Sequence, residues 1–366
     1  MQTYAAVIRD PAVPVWVEPV TLDDPAGGEV RVRLSGCGLC HTDFLAASGA
    51  LPFPLPAVLG HEGAGVVEAV GPGGDSVLIG RSVILSFRSC GSCPRCRAAQ
   101  SPYCDDKHAL NFSGRRPDGT TPFRDREGKP LGACFFGQSS LARHANVSLR
   151  NLVEVPARDD LWMLGALGCG FQTGAGAVLN VLKPEVGASV VVIGLGAVGM
   201  AALMAAKASG ADPIIAVDRS PERLELARDF GATHTVLAAR EDIPGQIRAI
   251  TGGGAAYAVE CAGSASTAAL ALDALAMLGK AAICGAASGQ GPLMLDPHKL
   301  LYGRSLRGVV QGDSEPAVFI PHLLRLQAAG QFPFERLVTG YDFDDIGAAL
   351  AAAKGGRAVK AVARMT

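Results

Sequence analysis

The stretch Ser189-Val190-Val191-Val192-Ile193-Gly194-Leu195-Gly196-Ala197-Val198-Gly199 leaves a chain few folds to choose from. A buried β-branched strand runs directly into Gly-x-Gly-x-x-Gly, and Met200–Ser209 continues as an apolar helix. Each glycine has a separate task. Gly194 permits the tight turn, Gly196 lets backbone approach a pyrophosphate, and Gly199 lets the helix pack closely on the strand. The helix N-terminus then offers unpaired amides and the positive end of its dipole to phosphate. A second strand, Pro213–Val217, ends on Asp218, 19 residues past the last glycine, with Arg219 next. A carboxylate at that spacing accepts hydrogen bonds from an adenosine ribose. Helices at Pro221–Phe230 and Thr267–Leu278 alternate with strands at Ala256–Glu260 and Lys280–Gly285, which predicts a doubly wound parallel sheet. A merely structural Gly-rich turn is the competing reading, and this alternation speaks against it.

The first 155 residues have a different texture. Tyr4–Ile8, Val15–Val20, Glu29–Leu34, Gly65–Val70 and Arg81–Leu85 are β-branched or aromatic runs bounded by turn residues. They predict a mostly β domain with long loops. Residues 105–146 read as an irregular lobe that includes Phe135-Phe136-Gly137-Gln138-Ser139-Ser140, a candidate pocket lining. Asp160–Leu182 reads as a helix interrupted by glycine. Helices at Pro316–Gly330 and Phe343–Lys354 precede an apolar strand, Val359–Arg364, which needs the first domain's sheet to join. The expected division is 1–160 with 314–366 for the first domain and 161–313 for the dinucleotide fold, with the active site in the cleft between them.

Two cysteine patterns carry chemistry. Cys40 in Gly36-Cys37-Gly38-Leu39-Cys40-His41-Thr42-Asp43, His61 in Gly60-His61-Glu62-Gly63 and Cys169 in Gly168-Cys169-Gly170 supply two thiolates and an imidazole. Catalytic zinc takes such a set and keeps a fourth position open. The alternative is a Cys37/Cys40 redox pair with a packed histidine. The second pattern is Cys90-x2-Cys93-x2-Cys96-x7-Cys104, four thiolates fitted to a closed tetrahedral zinc site that does no chemistry. Disulfides and an iron–sulfur cluster are the rival readings there.

Net charge is −1 over 366 residues, 18% of them charged, which gives no electrostatic case for nucleic acid or anionic membrane. Ten cysteines, with no basic segment and long apolar run after Met1-Gln2-Thr3-Tyr4, point to metal or catalysis in a reducing, cytoplasmic setting.

Taken together, Gly-Cys-Gly-Leu-Cys-His-Thr-Asp, Gly-His-Glu-Gly-Ala-Gly, the four-cysteine loop, Gly-Cys-Gly-Phe-Gln-Thr-Gly and Gly-Leu-Gly-Ala-Val-Gly make the chain resemble zinc-dependent alcohol dehydrogenases of the medium-chain dehydrogenase/reductase superfamily over essentially its full length. The segments Cys169–Asn180 and Phe135–Ser140 look most like bacterial aryl (benzyl) alcohol dehydrogenases. The resemblance implies a Rossmann sheet plus a GroES-like β domain bearing two zincs, with NAD as cofactor. It implies Cys40, His61 and Cys169 as catalytic zinc ligands, Glu62 beside the metal, Asp43 behind His61, and Thr42 as the hydroxyl that takes the alcohol proton. His41 and Lys360 match residues at the cofactor pyrophosphate, Thr173 and Val198 residues at nicotinamide, and Arg223 a residue near the ribose. Phe87 and Phe136 are expected as substrate-pocket walls. Leu45 stands where some members carry a proton-relay histidine, so the relay beyond Thr42 must differ here. Cys37, Cys134, Cys261 and Cys284 are expected to be packing residues.

The implied reaction is reversible oxidation of an aryl or allylic primary alcohol to its aldehyde by a homodimer or homotetramer. Alternatives are the same chemistry on a terpenoid alcohol, an aliphatic alcohol or a thiol adduct of formaldehyde. More distant is a non-catalytic zinc protein that senses redox or nucleotide state.

Overall fold

The computed structural model describes residues 1–239, 242–285 and 292–365. The chain forms two compact units, one of Met1–Cys169, Glu315–Pro321 and Leu337–Thr366, the other of Gly170–Ser314 and His322–Arg336. The division after Cys169 falls later than the expected 160/161, and 322–336 joins the second unit.

The first unit is built on antiparallel sheets. Strand Glu29–Gly38 is the spine of the larger one, pairing with Gly63–Val70, with His144–Ser148 and, through Val362↔Gly38, with Lys360–Arg364. The apolar C-terminal strand thus joins the first domain's sheet, as expected. Its other neighbour, Val338–Asp342, is parallel to it. A second sheet holds Gln2–Ile8 between Trp16–Leu22 and Ala57–Val58. Val30, Val32, Leu34, Val83, Leu85, Ala145 and Val147 form one buried face, at alternate positions of their strands.

The second unit is a six-stranded sheet in the order His234–Leu237, Ile214–Asp218, Val190–Ile193, Ala255–Glu260, Leu275–Ile283, Ser305–Gly308. Every pairing in it is parallel. In chain order this is 3-2-1-4-5-6, the doubly wound arrangement. Its central strands Val190–Ile193, Ile214–Asp218 and Ala255–Glu260 are buried on both faces over most of their length, which explains their near-continuous apolar sequence.

Two elements differ from the sequence reading. The helix expected at Thr267–Leu278 runs Ala265–Asp273, started by a reciprocal cap between Ser264 and Thr267. Leu275 already belongs to the next strand, paired with Ala255 and 1% exposed, so sheet pairing overrides helix propensity. The run Asp160–Leu182 breaks at Cys169, whose backbone is non-helical (φ −143°, ψ −81°). Helix resumes at Gly170–Gly176 and ends in a π-helical Ala177–Leu182.

Candidate functional site

The first unit brings the dispersed set together. The ligand atoms of Cys40, His61, Glu62 and Cys169 all lie within 4.8 Å of one another. They arrive on three separate segments. Cys40 caps the helix His41–Ala47, His61 and Glu62 precede the strand Gly63–Val70, and Cys169 occupies the break just described. Close backbone approach makes this possible. A Cβ on Gly38 would lie 2.1 Å from Glu62 Oε2, and one on Gly165 would lie 2.1 Å from the Glu62 carbonyl oxygen.

His61 is held by its far nitrogen. Its Nδ1 lies 2.9 Å from Asp43 Oδ1, while Asp43 Oδ2 accepts from the Cys40 amide at 2.9 Å. One carboxylate thereby fixes both the imidazole and the loop carrying the first thiol. His61 Nε2 is buried and lacks a hydrogen-bond partner. An orphaned nitrogen amid two sulfurs and a carboxylate costs free energy unless a cation fills the gap. The charges agree. The Cys169 thiol, hydrogen-bonded to Cys40, lowers the Cys40 pKa well below its ordinary value, and burial only partly offsets this. Burial works against a charged His61, yet the charges of Asp43 and Cys40 outweigh it and hold its pKa well up. The donor set fits zinc.

The carboxylate of Glu62 has its own counter-ion. Lys360 Nζ, 2% exposed, reaches its two oxygens at 2.8 and 2.6 Å and donates to the Leu39 carbonyl at 3.2 Å. Burial opposes the ammonium, and the Glu62 charge outweighs burial, so the Lys360 pKa is raised. Lys360 therefore sits beside the metal cluster, against Glu62. The sequence reading did not anticipate this pairing.

Thr42 is half-buried with its Oγ1 3.7 Å from Cys40 Sγ, and His41 beside it is exposed. Cys37 is fully buried, its Sγ 3.2 Å from Ser140 Oγ, which removes it from a redox pair with Cys40.

The segment Phe135–Ser140 does more than line a pocket. Phe136 stacks on the His61 ring (centroids 4.3 Å apart, 18° between planes), and Phe135 meets the same ring edge-on at 5.4 Å. Gln138 Nε2 donates to the His61 and Ser86 carbonyls at 3.0 and 2.9 Å, and its Oε1 accepts from the Gly63 amide. Cys134, Phe136 and Ser139 all have positive φ (57°, 52° and 57°), a strain of order 1–3 kcal/mol each that the surrounding bonds must hold. Phe87 packs in the same core cluster. The pair of aromatics followed by Gln-Ser-Ser was visible in the sequence. Its bracing of His61 was not, because nothing local relates residues 61 and 138.

Cys90, Cys93, Cys96 and Cys104 form the second cluster, again within 4.8 Å. Backbone amides aim at the sulfurs. Ser92 and Cys93 N–H donate to Cys90 Sγ at 3.4 and 3.3 Å, Cys96 N–H to Cys93 Sγ, and Cys90 N–H to Cys104 Sγ at 3.2 Å. The Ser92 amide leads in lowering the Cys90 pKa to about 6, whereas burial pushes Cys104 up to about 12. No disulfide joins them. Four sulfurs in an amide-lined knot suit a closed zinc site.

In the second unit, Gly194 turns at φ +89°, and a Cβ there would meet the Ala262 amide nitrogen at 2.8 Å. A Cβ on Gly199 would lie 1.9 Å from the Gly194 carbonyl oxygen, so glycine is required for the helix to start where it does. Gly196 is exposed with nothing within 4 Å of such an atom, and it begins the helix Ala197–Ala208 without a side-chain cap. The open amides and bare surface fit a pyrophosphate. Asp218 Oδ2 accepts from the Leu195 amide at 2.6 Å and Oδ1 from Ser220 at 2.9 Å. Val198 and Arg223 are half-buried, Thr173 is buried and Arg219 is exposed.

A β unit bearing two thiolate-rich metal sets, and a doubly wound dinucleotide unit, define a zinc-binding dehydrogenase. Residues 26–157 match the alcohol dehydrogenase GroES-like domain, and residues 197–328 match the zinc-binding dehydrogenase family. The chain is 41% identical to geraniol dehydrogenase of Castellaniella defragrans, across 99% of this chain and 97% of that one. Its structure superposes on benzyl alcohol dehydrogenase from Acinetobacter calcoaceticus with TM-score 0.96 at 39% identity, covering 100% of both chains. An alcohol dehydrogenase zinc-binding domain protein from Burkholderia ambifaria gives TM-score 0.97 at 44% identity, covering 100% of this chain and 99% of that one. The chain belongs to the zinc-dependent alcohol dehydrogenases of the medium-chain dehydrogenase/reductase superfamily. Zinc and NAD are its cofactors. Among the described residues, no helix is long and apolar enough to cross a membrane.

Proposed function

We propose that the chain oxidises an aryl or allylic primary alcohol reversibly to its aldehyde. The observation that carries the catalytic reading is the orphaned His61 Nε2 enclosed by Cys40, Cys169 and Glu62. Zinc held by Cys40, His61 and Cys169 supplies a Lewis acid that lowers the pKa of an alcohol hydroxyl. NAD supplies the hydride acceptor. Thr42 Oγ1, beside Cys40, takes up the alcohol proton. Asp43 accepts Nδ1–H, so Nε2 is the nitrogen that would give up its proton and turn its lone pair to the metal. Lys360 neutralises Glu62 and keeps a second buried anion from burdening the site. Phe136, flat on His61, sets the ring plane, and Phe87 beside it adds apolar wall.

The substrate class rests on what the relatives' alcohols share. Benzyl alcohol and geraniol both carry an sp2 carbon next to the carbinol carbon, so both yield conjugated aldehydes. Benzyl alcohol, cinnamyl alcohol and geraniol should each exceed ethanol in kcat/KM by at least about tenfold, the effect of roughly 1.4 kcal/mol of extra apolar contact. Reduced-nicotinamide absorbance over that panel is the measurement. Parity with ethanol would remove the aryl–allylic assignment and leave the dehydrogenase standing.

Asp218 reads the ribose. Each of its oxygens already accepts one amide and keeps a further lone pair for a ribose hydroxyl. The 2′-phosphate of NADP replaces a donor with a dianion, losing a charged hydrogen bond of about 1.5–3 kcal/mol, roughly ten- to a hundredfold. Arg219 beside it is exposed, and the Asp218 carboxylate still opposes the phosphate. The enzyme should therefore prefer NAD at least tenfold, and Asp218→Ser should shrink that ratio by gained NADP use as well as lost NAD use. Native preference for NADP would assign the reading to Arg219.

A homo-oligomer fits the exposed apolar side chains Met277, Leu278, Met294 and Leu301 (70–80% exposed), since a patch of this kind marks an interaction surface. Ten free cysteines suit a reducing compartment such as the cytoplasm.

A further inference from the structure

Cys261 and Cys284 stand outside both metal clusters, and the structure does not pack them away as the sequence reading expected. Both are partly exposed. They lie one residue past Glu260↔Ile283, the last paired couple of two neighbouring parallel strands. The Cys284 amide donates to the Glu260 carbonyl at 2.8 Å, which carries the ladder one step beyond that couple. Partners in such a ladder stand on the same face, with strands roughly 4.8 Å apart. That spacing falls within the Cα separation of about 4.4–6.8 Å that a disulfide spans.

The backbone around the pair is fixed. The Cys261 amide donates to the Ile193 carbonyl at 2.8 Å. Glu260 Oε1, fully buried, accepts from the Ala262 and Gly263 amides at 2.8 and 2.7 Å and from Thr267 Oγ1 at 2.8 Å. Gly285 comes so close that a Cβ on it would lie 2.3 Å from the Gly263 backbone. The backbone thus holds the two cysteines at neighbouring positions of adjacent strands. The Cys284 thiol first, and burial second, raise the Cys261 pKa well above its ordinary value.

Position gives the pair a consequence. These residues sit at the carboxyl edge of the parallel sheet, where open α/β folds bind their ligands. Ala262, next to Cys261, packs on Gly194 of the phosphate turn. We propose that Cys261 and Cys284 form a modification site, oxidised to a disulfide by a small disulfide oxidant, and that the cross-link weakens dinucleotide binding. In the first step the Cys284 thiolate attacks one sulfur of the oxidant, forming a mixed disulfide and releasing one small thiol. Cys261 then displaces the second small thiol and closes the protein disulfide. Two protein thiols are oxidised, the oxidant is reduced to two thiols, and these carry away both protons. Because the backbone around the pair is already fixed, drawing the two sulfurs into a bond strains the edge at Cys261, and Ala262 passes the strain to Gly194 of the phosphate turn.

The test uses the zinc-loaded enzyme treated with oxidised glutathione under native conditions, then dialysed. Peptide mass spectrometry should find the Cys261–Cys284 link, with zinc content unchanged. NADH titrated by its fluorescence should bind at least tenfold more weakly, and dithiothreitol should restore affinity. Before oxidation, Cys284→Ser and Cys261→Ser should each bind NADH like the reduced native enzyme; afterwards Cys284→Ser should keep that affinity, while Cys261→Ser should stop at a glutathione adduct on Cys284 with no linked peptide. Absence of the linked peptide, or an equal loss of affinity in both serine variants, would overturn the proposal and place any oxidant effect on the zinc thiolates.

Discussion

Cys169→Ser is expected to abolish turnover while the protein melts almost as before. The serine hydroxyl keeps its proton at neutral pH and is a far poorer zinc ligand than a thiolate. Losing even a partner that only orients a ligand costs about 10–100-fold in metal affinity or activity, so loss of the ligand itself should exceed a hundredfold in kcat/KM. The fold has little at stake. Cys169 is 8% exposed, and the turn around it is pinned by other contacts, notably Ser86 Oγ donating to the Gly168 carbonyl at 2.7 Å. Metal analysis should fall from two zincs per chain toward one, matching the two clusters. A variant that retained both zincs and native kcat/KM would remove Cys169 from the catalytic site.

How far the sequence foretold this site depends on the range of each interaction. The dinucleotide turn was legible because its demands are local. Strand, glycines, helix and Asp218 fall within thirty residues, and the sheet order 3-2-1-4-5-6 then matches the doubly wound pattern. The cysteine spacings were legible for the same reason at Cys90–Cys104. The Cys40/His61/Cys169 set was read from donor chemistry in glycine-rich segments, with a redox pair as its rival, and the family resemblance strengthened that reading, since no periodicity relates residues so far apart. Lys360 shows what remained hidden. Its sequence setting reads as part of an apolar strand, and the resemblance placed it at the pyrophosphate, yet Val362↔Gly38 pairing carries it to Glu62, whose carboxylate then fixes its charge. Likewise the helix expected through Leu278 stopped at Asp273, because Leu275 found a strand partner that no single-sequence propensity contains.

Cys93→Ser should do the opposite of Cys169→Ser, lowering stability and folded yield before it touches chemistry. The loop from Cys90 to Cys104 has almost no apolar interior of its own. Ser101, Pro102 and Cys104 are its buried residues, while the helix Pro94–Arg97 buries none. What orders it is the shared centre of four sulfurs, and Cys93 contributes twice. Its Sγ is a ligand and also caps the helix by accepting the Cys96 amide at 3.4 Å. Serine keeps part of the cap and loses the thiolate, leaving three sulfurs that repel one another without a well-held cation. The ends of the loop stay tethered, at Arg88 by the Asn111 side chain, whose Oδ1 accepts from the Arg88 amide and whose Nδ2 donates to its carbonyl, and at Ser101 by Glu315, which accepts from its amide, so the damage should be local. A loss of only about 2 kcal/mol would lower Tm by roughly 4–8 °C, at about 2–4 °C per kcal/mol for a domain of this size. Calorimetry and limited proteolysis are the measurements, with new cleavage expected between residues 90 and 104. Protein that folds should retain kcat/KM within about tenfold, because the catalytic ligands lie on other elements. If Cys93→Ser melted like the native enzyme yet lost all activity, the roles of the two zinc sites would have to be exchanged.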